Sequence, residues 1–247
     1  MVNTEIVVLP DDAAVAAMGA ERLAAAITGA VAARGRAVVA LSGGRTPLAM
    51  FRLLAESPYG ATLPWAQTHI FWADERLVPP DDPGSNYYHA HDLLLRHVPL
   101  PPENIHRPHG ELASEAAVAG YADQLAQLAG SHTSPWPRFD SVLLGLGSDG
   151  HTASLFPGSP VVSAAPVLPA HATYEDRPAE RLTLSSAVIN DAREVLFLVT
   201  GAGKAEAVAK TLRGAPDPIQ RPAQRIQPRD GAVVWLLDEA AAAGLRP

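Results

Sequence analysis

Four times in this chain an apolar run of strand length stops abruptly at a polar or glycine-rich turn. AVVAL is followed by SGGRTP from residue 37, and HIFWA by DER from residue 69. VLL runs into GLGSDGH from residue 142, and VLFLVT into GAGK from residue 195. Helical patterns lie between these runs. Strands that alternate with helices predict an α/β fold, a Rossmann-like, mainly parallel sheet with helices on both faces. Such sheets bind ligands beyond the carboxyl ends of their strands, where all four turns would then lie.

The remaining elements follow from local pattern. Glu5–Leu9 reads as a strand, and Asp11 or Asp12 can cap an alanine-rich helix over residues 12–33. Ala37–Leu41, His69–Ala73, Asp140–Gly145, Arg181–Ser185, Val195–Thr200 and Ala232–Leu237 read as strands, with a short one around Ile105. Leu48–Glu56, Tyr87–His97, Ser114–Ala129 and Gly203–Leu212 read as helices. The proline-rich stretches 77–86, 157–180 and 214–229 read as irregular and are candidate lids. No internal repeat or clean linker divides the chain, so one domain over 1–247 is expected.

Bulk properties exclude several function classes. A net charge of -7 argues against a general nucleic-acid binder. A local basic pocket for a small anion stays compatible with that sign. The absence of cysteine excludes disulfides, thiol catalysis and cysteine zinc sites. The first residues, MVNTEIVVLPDD, lack the pattern of a signal peptide, and the alanine-rich segment carries Glu21, Arg22 and Arg34. A cytoplasmic protein with no membrane or obligate protein partner is the expectation.

Each turn has its own chemistry. In Ser42-Gly43-Gly44-Arg45-Thr46-Pro47 the glycines allow close backbone approach, and Pro47 suits a first helical turn. Free N–H groups there favour a phosphate, to which Arg45 and Thr46 add a charge and a hydroxyl. Gly201-Ala202-Gly203-Lys204 repeats the arrangement, and Lys204 is one of only two lysines, with Lys210. A cation at a helix start opposes the dipole unless an anion shares the site. Asp74-Glu75-Arg76 reads equally well as a solvated turn or as charges entering a cleft.

Residues 145–150 match G-x-G-x-x-G, yet Pro157 and Gly158 stop any helix within two turns. A dinucleotide site needs that helix, so the match fails its structural test. What remains is Asp149-x-His151 beyond a buried strand. Histidine is the natural general base near neutral pH, and a nearby carboxylate can orient it. The bland alternative is a histidine that only closes a loop. A metal reading finds no convincing partner set among the other histidines, His89 and His91 included.

LSGGRTP, FWADERLVPPDDPGSNY, LLGLGSDGHTASLFPGS, RLTLS and TGAGKAEAV, in this order, resemble the 6-phosphogluconolactonase family from about residue 37 to 212. The resemblance implies hydrolysis of 6-phospho-D-glucono-1,5-lactone, a small accessory layer on the sheet, and no metal or organic cofactor. It implies His151 as base, Asp149 as its neighbour, and Arg76 as partner of the substrate or oxyanion. Gly43, Gly44, Arg45, Thr46, Arg181 and Lys204 would line the phosphate end; Arg45 stands where many relatives have serine. Two rivals remain open. A related deaminase family places a glutamate five residues after the loop histidine, where this chain has Phe156. A non-catalytic sugar-phosphate sensor could dispense with His151 or Arg76.

Overall fold

The computed structural model describes residues 3–129, 134–161, 163–172 and 178–245. Nine strands occur among them: β1 (Asn3–Leu9), β2 (Ala37–Leu41), β3 (Thr68–Trp72), β4 (Asp74–Arg76), β5 (Ser141–Leu144), β6 (Val167–His171), β7 (Glu180–Leu184), β8 (Glu194–Val199) and β9 (Ala232–Asp238). The helices are α1 (Asp12–Arg34), α2 (Arg45–Ala55), α3 (Tyr59–Thr62), α4 (Asn86–Leu93), α5 (Ser114–Ala129), α6 (Ser186–Ile189) and α7 (Ala205–Arg213). Six strands form one parallel sheet in the order β1-β9-β8-β5-β2-β3. Three form a small antiparallel sheet, β4-β7-β6.

Apart from the largely exposed edge strand β1, the large sheet is buried on both faces, which is why its central strands read as unbroken apolar runs. In β2, Val38 and Ala40 face one core while Ala37, Val39 and Leu41 face the other. In β8, Phe197 stacks on Trp235 of β9 at 3.9 Å on the first face, and Leu196 and Leu198 serve the second. The first core is closed by α5, α7 and the small sheet, the second by α1, α2 and α4.

Helix α1 starts where the Asp11 carboxylate accepts the Ala14 N–H at 2.8 Å, and stops where Gly35 turns left-handed at φ 75°. Its length and composition would suffice to cross a membrane. In this fold its stripe of Val15, Ala20, Leu23, Ile27 and Ala30 is instead buried on β2, β8, β9 and α2. Gly19 permits that approach, because a Cβ there would lie 2.9 Å from Leu198 Cδ2.

The tertiary structure shifts several expectations. DER does not end β3 but forms β4, a separate strand of the small sheet. The strand expected over Arg181–Ser185 exists as β7, but it pairs antiparallel with β4 and β6 rather than joining the parallel sheet. Within 157–180, expected to be irregular, Val167–His171 forms β6; residues 162 and 173–177 of that stretch lie outside the described residues. Helix α2 begins at Arg45, three residues before the expected Leu48, because Gly44 at φ 110° supplies the turn into it. Around Ile105 a single bridge to Ile70 replaces a strand.

Two of the candidate lids are strapped together. The buried Arg225 guanidinium donates to the carbonyls of Pro218, Ser159 and Pro160 and to Ser159 Oγ, all between 2.6 and 3.1 Å. Ala223 donates its N–H to Gly150 O at 3.1 Å, so segment 214–229 backs the loop that carries His151.

If α1 is a core helix, Leu23→Ala should lower the unfolding free energy by about 2–5 kcal/mol in a urea titration. A membrane-spanning α1 would leave that value unmoved.

Candidate active site

Parallel strands end on one edge, and the turns after β2, β5, β8 and β9 meet there with β4 around a cleft of about 640 Å³. Of the residues expected from sequence, Gly43, Gly44, Arg45, Thr46, Arg76, His151, Arg181 and Lys204 line this one cleft. Asp149 does not; it stands behind His151.

At the end formed by β2 and β8, the first turn of α2 has no side-chain cap. The N–H groups of Arg45 and Thr46 therefore remain as donors at the positive end of an eleven-residue helix. Thr46 Oγ1 meets Thr200 Oγ1 at 2.9 Å and joins the two glycine loops. Gly201 turns at φ 95°, and its N–H is held by both carboxylate oxygens of Asp238, at 3.1 and 2.9 Å. Lys204 ends a single helical turn over Ala202–Lys204 just before α7, and it is half-buried. The expected helix start at Gly203 is thus displaced to Ala205.

Gly43 is needed for packing. A Cβ there would overlap the Asn86 carboxamide oxygen, which occupies the space beside the loop. Asn86 Nδ2 donates to Asp74 O at 2.8 Å, while its buried Oδ1 has no partner among the described residues.

On β4, strand alternation turns Asp74 and Arg76 into the cleft and Glu75 away from it. Asp74 Oδ2 accepts from Ser154 Oγ at 2.6 Å. Arg76 Nη1 donates to Gly84 O at 2.6 Å, and its buried Nε has no partner among the described residues. Across the small sheet Arg76 is in register with Arg181. Both residues are more than nine-tenths buried and line the cleft, which gives that wall two positive charges. That arrangement suits an anion in the cleft.

The loop after β5 is shaped around an imidazole. His151 Nδ1 lies 2.6 Å from Asp149 Oδ1, which also accepts the His151 N–H at 3.1 Å. With its proton on Nδ1, toward the carboxylate, the imidazole has Nε2 as the nitrogen able to accept a proton. A Cβ on Gly147 would overlap the imidazole and the Asp149 carboxylate, and Gly150 turns at φ 89°. Of the glycines that imitate a dinucleotide fingerprint, Gly147 makes room for His151, while Gly150 serves the turn. Burial pushes the Asp149 carboxyl up, but the hydrogen bond and charge of His151 and backbone N–H groups outweigh it and hold it below its ordinary value. Phe156 packs 4.6 Å from the imidazole, and the Arg181 guanidinium lies 5.4 Å from the same phenyl ring.

Asp74, Asn86 and Asp238 are site residues that sequence reasoning did not single out. The alternation D-E-R would have separated Asp74 from Glu75, and the strand-end rule that located Lys204 would have located Asp238 after WLL. Asn86 lies within the FWADERLVPPDDPGSNY stretch, but only the folded chain brings it to Gly43. Among the described residues no group of three or more histidine or acidic side chains is arranged to hold a metal ion.

The profile of the glucosamine-6-phosphate isomerases/6-phosphogluconolactonase family matches residues 10–235. A 6-phosphogluconolactonase of Synechocystis sp. is 42% identical over 222 residues, 90% of each chain. One of Mycobacterium tuberculosis is 38% identical over 248 residues, covering 98% of this chain and 99% of its own. The structure of 6-phosphogluconolactonase from Trypanosoma brucei superposes with a TM-score of 0.87 at 30% identity over the full length of both. A monomeric glucosamine-6-phosphate deaminase, 23% identical with a TM-score of 0.84, shares the fold.

Gly147→Ala should break the Asp149–His151 contact and, by overpacking the loop, cost about 1–3 kcal/mol of stability. The imidazole nitrogen chemical shifts of His151 report the first, and thermal unfolding the second.

Proposed function

The chain belongs to the glucosamine-6-phosphate isomerase/6-phosphogluconolactonase family, and within it we propose that this protein hydrolyses 6-phospho-D-glucono-1,5-lactone to 6-phosphogluconate in the oxidative pentose phosphate pathway, with His151 as general base. The observation that carries this reading is one cleft holding a carboxylate-oriented imidazole together with Arg45, Arg76, Arg181, Lys204 and an uncapped helix start. The whole chain, 1–247, acts as one domain in this reading.

A δ-lactone is an activated ester, so no covalent nucleophile is required and the step asks for no metal or organic cofactor. His151 Nε2 takes a proton from water as the oxygen adds to C1. General-base assistance of this kind is worth roughly 10²–10⁴-fold. Asp149 holds the imidazole in the required tautomer and offsets the charge it gains. The tetrahedral oxyanion is met by Arg76 or loop N–H groups, and one such donor is worth about 10²–10³-fold. As the C1–ring oxygen bond breaks, the imidazolium returns its proton to the departing oxygen. The products are the free hydroxyl and the C1 acid, which ionises at neutral pH.

The phosphate sits far from C1, so its binding energy can hold the ring for attack. The α2 N–H groups, Thr46, Arg181 and Lys204 supply its anchor. Amino-sugar-phosphate deamination is less well served. The position for its extra carboxylate is Phe156, whose ring packs on the imidazole and offers no acid or base.

Rates of 6-phosphogluconate formation from fresh lactone, corrected for spontaneous hydrolysis, test the assignment. His151→Ala should lose roughly 10²–10⁴-fold in kcat with little change in KM. Near-normal corrected turnover would remove His151 from the mechanism. Lys204→Ala should mainly raise KM. Glucosamine 6-phosphate should release no ammonia, and steady ammonia release would transfer the protein to the deaminases.

A further inference from the structure

Glu75 lies between the two cleft residues of β4 yet points away from the cleft and is almost wholly buried, 2% exposed. Four donors converge on its carboxylate. Oε1 accepts the N–H groups of Arg76 and Asn86, both at 2.7 Å. Oε2 accepts the Tyr87 N–H at 2.7 Å and the Ser85 hydroxyl at 3.0 Å. Three of these donors belong to the start of α4, where a negative charge also complements the helix dipole.

The consequence is geometric. The carboxylate clips the first turn of α4 onto β4, and the segment 77–84 becomes a loop closed at its base. Two residues inside the clip reach the cleft: Arg76, whose Nη1 is fixed on Gly84 O, and Asn86, whose carboxamide packs on Gly43. A carboxylate suits this role because it has four lone pairs and no hydrogens. A carboxamide would turn its NH₂ against two of the donors. Keeping an ion there is costly: burial pushes the Glu75 carboxyl up to about 6, against the pull of the three N–H groups and Arg76. A fold that needed only a helix cap could use Ser85 alone, which already accepts from the Tyr88 N–H at 3.1 Å.

We propose that Glu75 is a positioning residue for the hydrolysis, which sets the Arg76 guanidinium in the cleft without touching substrate. The inference rests on the lactonase reading given above.

A double-mutant cycle tests it, using the full chain and fresh lactone against an enzyme-free blank. Glu75→Gln should lower kcat/KM by about 10-fold or more, as misplacement of a site group does, while near-native circular dichroism is kept. In an Arg76→Lys background the same change should cost less than about 3-fold, because coupled residues are non-additive. Equal losses in both backgrounds would assign Glu75 to folding alone and overturn the proposal, as would an unchanged kcat/KM for Glu75→Gln. If Glu75→Gln is recovered unfolded, Ser85→Ala removes one of the four donors. A loss in the Arg76 background that vanishes in Arg76→Lys supports the clip, and a loss equal in both overturns it. Wild-type protein that forms product only at the blank rate would overturn the lactonase reading itself, a result distinct from any of these.

Discussion

Parallel hydrogen bonding among β2, β5, β8 and β9 forces their carboxyl ends onto a single edge, and the glycine loops, His151, Lys204 and Asp238 inherit their places from that constraint. No local preference brings Gly43, His151, Lys204 and Asp238 together. They meet because four strands with buried faces on both sides admit one direction and one register. The two cores above and below the sheet fix that register, since a slip of one residue would exchange Phe197 and Leu196 between faces.

The small sheet adds what the large one lacks. Its antiparallel pairing carries β4 out of line with β3, so Asp74 and Arg76 reach the cleft from the side. The same pairing sets Arg76 opposite Arg181, and both residues line the cleft. Glycine serves the cleft in two distinct ways. Gly44, Gly150 and Gly201 turn the backbone through positive φ, whereas Gly43 and Gly147 give up a side chain so that Asn86 and His151 can close in.

Much of this was legible beforehand. Buried strands declare themselves as apolar runs, glycine and proline mark the turns, and the strand-end rule names the edge where ligands bind. Asp149 and His151 were readable because two residues separate by one position in a tight loop can touch whatever the rest of the chain does. Arg45 and Thr46 were readable because they follow a strand and open a helix, and Lys204 because it follows a glycine turn beyond a strand. Glu75 was not: its partners Ser85, Asn86 and Tyr87 lie ten to twelve residues on, across a proline-rich loop with no period. The strand β6 was hidden for a similar reason, since Pro169 and a half-exposed face blur its alternation.

The sequence by itself determined the layer order, the turns at the strand ends and the pairing of an acid with an imidazole, because these depend on residues close along the chain. Only the tertiary structure decided which acidic residue of D-E-R enters the cleft, that Arg181 faces Arg76, and that Asn86 fills the space beside Gly43. Those contacts join segments with no shared periodicity. They are selected by how two sheets and their helices pack against one another, a property of the whole chain rather than of any stretch of it.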